Sequence, residues 1–253
     1  MAELYALRVD RAATGAVLAW TWERSAAAVV LPAGASPATV QRLLDELAPA
    51  AVVELGPDGR PRRHPLRDPV PVDDGVALVV ATSGSTGTPK GVELDHAAVQ
   101  ASVAASLRRL GARAGERWGL ALPTHHVAGI SVHLRAAALG TRAVVAPDTA
   151  GVADLDVEHV ALVPSQLDRL LALGAPLGRF RTILLGGAPA SAELLERAAA
   201  AGARIVRSYG MTETMGGCVY DGVPLDGVEV AIDPTDRVIR LRGPVLLRGY
   251  RER

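Results

Sequence analysis

At 253 residues, 49% of them hydrophobic, the chain can bury the core of one large domain or two smaller ones. Lys plus Arg and Asp plus Glu both number 27, so neither a basic nucleic-acid footprint nor an acidic tail is present, and no nucleic-acid or membrane-surface role is expected. The single cysteine, Cys218, excludes a disulfide framework and a cysteine-rich zinc site; with only a short apolar piece at residues 15–20, the expectation is a cytoplasmic protein without signal peptide or membrane span.

The first 75 residues carry the least pattern. Residues 16–22 and 26–31 predict short strands, and residues 37–47 predict a helix with Val40, Leu43, Leu44 and Leu47 on one face. Residues 56–74 hold five prolines and four arginines with little periodicity and predict a connecting loop. From Val76 onward strands and helices alternate, which predicts an α/β domain. Strands are expected at 76–82, 118–122, 143–146, 160–163, 183–185 and 205–207. A helix after Asp95 places Val99, Val103, Leu107 and Leu110 at helical spacing, and helices over 165–173 and 191–201 each open on a serine able to cap them. After Gly222 come short alternating runs at 228–232 and 238–241, read as a hairpin-rich β subdomain.

One stretch organises the rest. Residues 82–91, Thr-Ser-Gly-Ser-Thr-Gly-Thr-Pro-Lys-Gly, follow an apolar strand. Gly84, Gly87 and Gly91 permit tight turns and close approach to a ligand; Thr82, Ser83, Ser85, Thr86 and Thr88 offer hydroxyls; Lys90 adds a full charge. Gly, Ser, Thr and Pro also make ordinary surface turns. Against that, Lys90 is the only lysine in a chain whose other 26 basic residues are arginine. A compact ammonium suits phosphate oxygens where a planar guanidinium needs more room. The stretch is not a Walker A loop, because Pro89 precedes the lysine and Gly91 rather than a hydroxyl follows it. Nor does it form the Gly-x-Ser-x-Gly elbow of a serine hydrolase.

Three further segments hold candidate chemistry. Residues 123–131, Pro-Thr-His-His-Val-Ala-Gly-Ile-Ser, follow a strand end, where ligands sit in open α/β sheets. On spacing alone a loop histidine there is either a plain polar residue or a ligand-facing one. Leu184-Leu-Gly-Gly-Ala188 ends a strand in two glycines that allow a flat ring against the backbone. Ser208-Tyr-Gly-Met-Thr-Glu-Thr214 supplies an aromatic face, a glycine, a hydroxyl and a carboxylate able to hold a hard cation. Standing alone, it also reads as a core tyrosine beside a solvated glutamate.

Taken together, residues 82–91 and the Tyr-Gly-x-Thr-Glu run at 209–213 resemble the signatures of the adenylate-forming superfamily of acyl-CoA synthetases, luciferases and adenylation domains. Residues 240–250, with Arg242-Gly-Pro and Gly249-Tyr, resemble its next block, so the likeness covers residues 76–250. The resemblance implies the large domain of that fold, α/β with mainly parallel sheets, flanking helices and a small C-terminal β subdomain. Its division would be 1–75 (a reduced N-terminal lobe and linker), 76–221 (the core) and 222–253 (the β subdomain). It also implies roles. Thr82, Ser83, Gly84, Ser85, Thr86, Gly87, Thr88 and Lys90 would meet ATP phosphates. Gly186, Gly187 and Ala188 would border adenine, with Ser208, Tyr209, Gly210, Met211 and Thr212 completing the nucleotide site, Tyr209 stacking on the base and Thr212 contacting phosphate. Glu213 would position Mg²⁺. His126 would line the acyl pocket; with Lys90, Thr212 and Glu213 it makes up the implied catalytic set.

Within the superfamily, residues 123–135, 163–171 and 213–224 are similar to the o-succinylbenzoate:CoA ligases of menaquinone biosynthesis. That likeness implies a small carboxylate substrate, o-succinylbenzoate, held by His126, Ser131, Arg135 and Ser208, with Arg135 on its second carboxylate, and coenzyme A as acyl acceptor. Arg135 facing solvent is the alternative. Two other readings stay open: a non-catalytic nucleotide- or acyl-adenylate-binding module, and an adenylation domain for another aryl or amino acid. Self-association is likewise left open. The family continues past the Gly-Tyr block into a segment with a ribose-binding aspartate and a small domain with a catalytic lysine. The chain is therefore expected to bind ATP, AMP or an acyl adenylate but to form thioester slowly, if at all.

Overall fold

The computed structural model describes residues 1–83 and 89–251, the side chains of Ser83 and Pro89 excepted. In chain order the elements are β1 (Leu4–Leu7), α1 (Thr14–Trp22), β2 (Ala27–Val30), α2 (Pro37–Leu47), β3 (Ala51–Leu55), β4 (Pro61–Pro65), β5 (Val76–Ser83), β6 (Pro89–Asp95), α3 (His96–Leu110), β7 (Trp118–Leu120) and α4 (Val127–Ala138). They continue with β8 (Val144–Val145), β9 (His159–Leu162), α5 (Pro164–Ala172), β10 (Thr182–Leu185), α6 (Ala192–Ala200), β11 (Ile205–Met211), β12 (Gly216–Tyr220), β13 (Val223–Pro224), β14 (Glu229–Ile232), β15 (Ile239–Arg242) and β16 (Gly249–Arg251).

Two seven-stranded sheets carry the fold, in the orders β16-β6-β5-β2-β1-β3-β4 and β13-β12-β11-β10-β9-β7-β8. The class is α/β with flanking helices, and both sheets are mixed. The first is parallel from β5 to β3 and antiparallel at β6, β16 and β4; the second is parallel from β11 to β8 and antiparallel at β12 and β13. The boundaries expected at residues 75 and 222 are not sheet boundaries. β1 to β4 share a sheet with β5 and β6, and β16 returns from the far end of the chain to pair with β6.

Strand alternation sorts apolar side chains to two faces of each sheet. In β1, Leu4 and Ala6 join Leu43 and Leu47 of α2, while Tyr5 and Leu7 join Val17 and Leu18 of α1 and Val99 of α3. In the second sheet Trp118 and Leu120 face Ala105 of α3 and Val132 and Ala136 of α4, and the opposite face packs Leu167 and Leu170 of α5 and Leu194 and Ala198 of α6. Helices α1, α3 and α4 thus fill the space between the sheets, and α4 lies under the cavity described below.

Several local expectations change. Residues 16–22 form part of helix α1, not a strand: Thr14, Val17, Leu18 and Thr21 are buried at helical spacing, and Thr21 Oγ1 bonds back to the Val17 carbonyl at 2.8 Å. The segment 56–74 contains strand β4, which pairs with β3 at the sheet edge, where its prolines and exposed arginines are tolerated. Helix α5 is capped at Val163, with Pro164 in its first turn and Gln166 Oε1 accepting from the Val163 N–H at 3.1 Å, so Ser165 does not cap it. Ser191 does cap α6, and Asp95 caps α3 by accepting from the Ala98 N–H at 2.6 Å. Lys90 and Gly91 lie on β6 instead of in a loop, with Thr82 directly opposite Lys90.

A buried histidine on α4 makes stability depend on pH. His133 is buried, its Nε2 has no hydrogen-bond partner among the described residues, and burial holds the imidazole below its ordinary value of 6.5. The folded state therefore keeps it neutral while the unfolded chain takes up a proton, so stability falls as pH drops through about 6.5. Burial, followed by the neighbouring His126, shifts His125 the same way. Urea unfolding midpoints measured across this range should fall toward acid, and His133→Gln should flatten the slope; an unchanged slope contradicts a neutral buried His133.

Candidate active site

The loops at the C-terminal ends of β7, β9 and β10 and the motif on β11 open into one cavity of about 710 Å³, to which β5 and β6 contribute Thr82 and Lys90. This is the edge at which parallel α/β sheets expose uncommitted backbone groups. Thr82, Lys90, His126, Ser131, Arg135, Gly186, Gly187, Ser208, Gly210, Met211, Thr212 and Glu213 all line it. Ala188 and Tyr209 are exposed and stand outside the lining. Side chains alternate along β11, so with Ser208 turned inward Tyr209 turns away. Gly84, Ser85, Thr86, Gly87 and Thr88 lie outside the described residues, as does the side chain of Ser83.

The two ends of the cavity differ in chemistry. At one end Thr82 Oγ1 donates to the Lys90 carbonyl at 3.3 Å, and the Lys90 ammonium sits 5.5 Å from the centre of the Tyr250 ring. The Tyr250 hydroxyl donates to Glu213 Oε1 at 2.9 Å, and that bond, with burial and the carboxylate charge, holds the phenol above its ordinary 10.0. Glu213 lies in a 3-10 turn over residues 212–214, braced by Thr214 Oγ1, which accepts from the Met211 N–H at 3.0 Å. Its carbonyl accepts from the Leu247 N–H at 2.7 Å.

At the other end Arg135, only 3% exposed, reaches the cavity from α4. Its Nε donates to Ser106 Oγ at 2.9 Å and its Nη2 to Tyr220 Oη at 3.4 Å, and its guanidinium carbon lies 5.1 Å from the Trp118 ring centre. No carboxylate pairs with it among the described residues. Between the two ends, Val127 and Ala128 expose the first turn of α4, where His126 provides no side-chain cap. Uncapped N–H groups at this point favour a partial negative charge on a bound molecule.

The wall beside β11 is built from close backbone contacts. A Cβ on Gly210 would stand 2.0 Å from the Gly216 carbonyl oxygen, and one on Gly217 would stand 2.0 Å from Ser208 Oγ. Gly216 and Gly217 line the cavity, and Gly216 has φ +91°, which favours glycine. Gly216 and Gly217, and the place of Tyr250 in the cavity, escape motif reading. Their only sequence signal is the Gly-Gly pair just after Glu213-Thr-Met and the aromatic that closes the Gly-Tyr block.

For a metal, the described residues contain no cluster of three or more His, Cys, Asp or Glu side chains. Glu213 Oε2 accepts no hydrogen bond among the described residues and remains available. One carboxylate fits a magnesium ion that arrives on phosphates and keeps its waters; it does not fit a resident all-protein cage. Among the described residues no helix is long and apolar enough to cross a membrane.

Residues 5–250 match the family model described as AMP-binding enzyme. The chain is 40% identical over 246 residues to a probable 2-succinylbenzoate–CoA ligase of Mycobacterium tuberculosis, a match covering 90% of this chain and 60% of that protein. It spans less than two thirds of that relative's length. In fold it is similar to o-succinylbenzoate coenzyme A synthetase (MenE) from Bacillus subtilis in complex with ATP and magnesium ion, with a TM-score of 0.83 and 23% identity over 98% of this chain and 62% of that one. A variant of Escherichia coli MenE with bound OSB-AMS gives a TM-score of 0.78 and 25% identity over 99% and 60%.

The close approach of β11 to β12 can be tested directly. Gly210→Ala forces a methyl against the Gly216 carbonyl and should cost about 1–3 kcal/mol in chemical denaturation, the usual range for overpacking. A neutral substitution contradicts the contact.

Proposed function

The chain belongs to the AMP-binding enzyme family, and from that premise we propose that it is the nucleotide- and acyl-binding part of an acid–thiol ligase acting on o-succinylbenzoate or a close dicarboxylate. A substrate carboxylate oxygen attacks the α-phosphorus of ATP, the bond from that phosphorus to the β-bridging oxygen breaks, and an acyl adenylate and pyrophosphate result. The thiolate sulfur of coenzyme A, its proton lost to solvent, then attacks the acyl carbon and AMP leaves with the electron pair. No side chain acts as nucleophile; the protein contributes positioning and charge.

The single observation that carries the substrate class is Arg135, a buried guanidinium on the cavity wall with no acidic partner among the described residues. A cation in that position is best satisfied by an anion on the ligand, and a guanidinium fork matches a carboxylate. The same feature argues against an amino-acid substrate, whose ammonium would meet this cation. Among the described residues the only carboxylate in the lining, Glu213, is bonded to Tyr250, whose ring neighbours Lys90, and not to Arg135.

We assign the phosphates to the Lys90 end. Lys90 and the hydroxyls of Thr82 and Thr212 face the leaving pyrophosphate, with residues 83–88 as the implied cradle. Glu213 holds Mg²⁺, which when bound neutralises phosphate charge. Gly186 and Gly187 border the base, and Ala188 and the exposed ring of Tyr209, which stand outside the lining, are assigned to its rim. Ser208, Gly210 and Met211 form the nucleotide wall, and His126 and Ser131 line the acyl channel between the two ends. The likeness to M. tuberculosis and MenE proteins supports this order, and the names those relatives carry support coenzyme A as acceptor.

Two measurements test the reading. Lys90→Ala and Glu213→Ala should each weaken MgATP by about 1.5 to 3 kcal/mol in calorimetry while leaving adenosine almost unaffected, because charge-assisted contacts carry that much. Equal losses for both ligands remove these residues from the phosphates. For the acyl end, Arg135→Ala should abolish the preference for o-succinylbenzoyl adenylate analogues over the same analogue lacking the succinyl carboxylate; a retained preference removes Arg135 from the substrate.

A further inference from the structure

Four elements converge on one guanidinium. Arg135 comes from α4, Ser106 from α3, Trp118 from β7 and Tyr220 from β12, and all four side chains are buried. Arginine carries five N–H donors. Nε is taken by Ser106 and one hydrogen of Nη2 by Tyr220, so three donors have no partner among the described residues. The two hydroxyls are themselves bonded, Ser106 Oγ to Tyr220 Oη at 2.8 Å. Arg135 lines the cavity, whereas Ser106 and Tyr220 stand behind it and do not.

We propose that the buried Ser106–Tyr220 hydroxyl pair is the positioning device that selects a ligand with a remote carboxylate, by fixing the guanidinium plane of Arg135 while leaving its charge uncompensated. An arginine on a helix has several rotatable bonds, and a bidentate contact needs the fork aimed at one place. Two acceptors fixed to each other, and held on different elements, remove that freedom before any ligand arrives, so less is lost on binding. The acceptors are also neutral. A carboxylate in either position would aim the fork equally well but would supply the missing negative charge from within, and the ligand's carboxylate would gain little. Hydroxyls orient without neutralising. Trp118 adds a π face at 5.1 Å, which tolerates the cation and offers it no counter-charge.

Ser106 and Tyr220 touch no ligand in this scheme. They act through Arg135, and the inference rests on the reading of Arg135 given above. The test measures one quantity, the ratio of dissociation constants for two acyl-sulfamoyl adenosines that differ only in the remote carboxylate, by calorimetry. Both ligands see the same folded fraction, so the ratio is insensitive to partial loss of stability, which melting temperature reports separately. Tyr220→Phe keeps the ring and Ser106→Ala keeps the helix, and each should reduce the ratio about tenfold, the scale of one charge-assisted hydrogen bond, while affinity for the carboxylate-free analogue stays near that of the parent protein. Reduction in at least one of the two supports the inference. If Arg135→Ala collapses the ratio and both hydroxyl variants retain it, the positioning role is overturned and the Arg135 reading stands. If Arg135→Ala retains the ratio, the reading itself falls.

Discussion

A guanidinium cannot escape burial by giving up its proton. Most buried ionisable groups shift their pKa and become neutral, but arginine stays charged at any pH a protein meets, so placing Arg135 at 3% exposure costs on the order of several kcal/mol unless something answers the charge. Two hydroxyls and an indole face answer part of it. The need to bring those groups together constrains the architecture around them. Helices α3 and α4 must pack side by side between the sheets, and β7 and β12 must both present their side chains to the same helix face. The apolar cluster that contains Trp118 and Tyr220 also holds Ala105, Val132 and Ala136, small or branched residues that let the helices approach.

The opposite end of the cavity relies on a different device. Lys90 stands on β6, tied across the ladder to Thr82, and β6 is in turn fixed by β16, whose Tyr250 bridges toward Glu213. The cation and the carboxylate of that end come from segments more than a hundred residues apart in sequence and are held together by a strand from the far end of the described chain. Both cations line the same cavity. In a concave site their fields are less screened than on a flat surface, which favours a ligand that carries two anionic groups.

Much of this was legible in the sequence, for a physical reason. A lone lysine beside glycines and hydroxyls, and a Tyr-Gly-x-Thr-Glu run, single out Thr82, Lys90, Ser208 and residues 210–213, all of which line the cavity, without any knowledge of the fold. Helix α2 was legible too, from Val40, Leu43, Leu44 and Leu47 at helical spacing. Helix α1 was not. Its buried face includes Thr14 and Thr21, so the run from Ala16 to Trp22 shows no polar stripe and imitates a strand. β4 was hidden because an edge strand tolerates the prolines and charges that signal a loop. Tyr250, Ser106 and Tyr220 were hidden because their roles depend on tertiary neighbours. A serine in a helix and a tyrosine in a strand carry no local signature of the arginine they hold.

In the proposed function one cavity reads a single ligand through two cations, Lys90 and Arg135. The most direct measurement is a crystal structure of the chain with an o-succinylbenzoyl sulfamoyl adenosine. The account expects the succinyl carboxylate within hydrogen-bond distance of the free donors of Arg135, with the guanidinium still held by Ser106 and Tyr220 and the sulfamoyl group toward Lys90. A ligand whose succinyl carboxylate points to solvent, with Arg135 bonded only to its two hydroxyls, would contradict it.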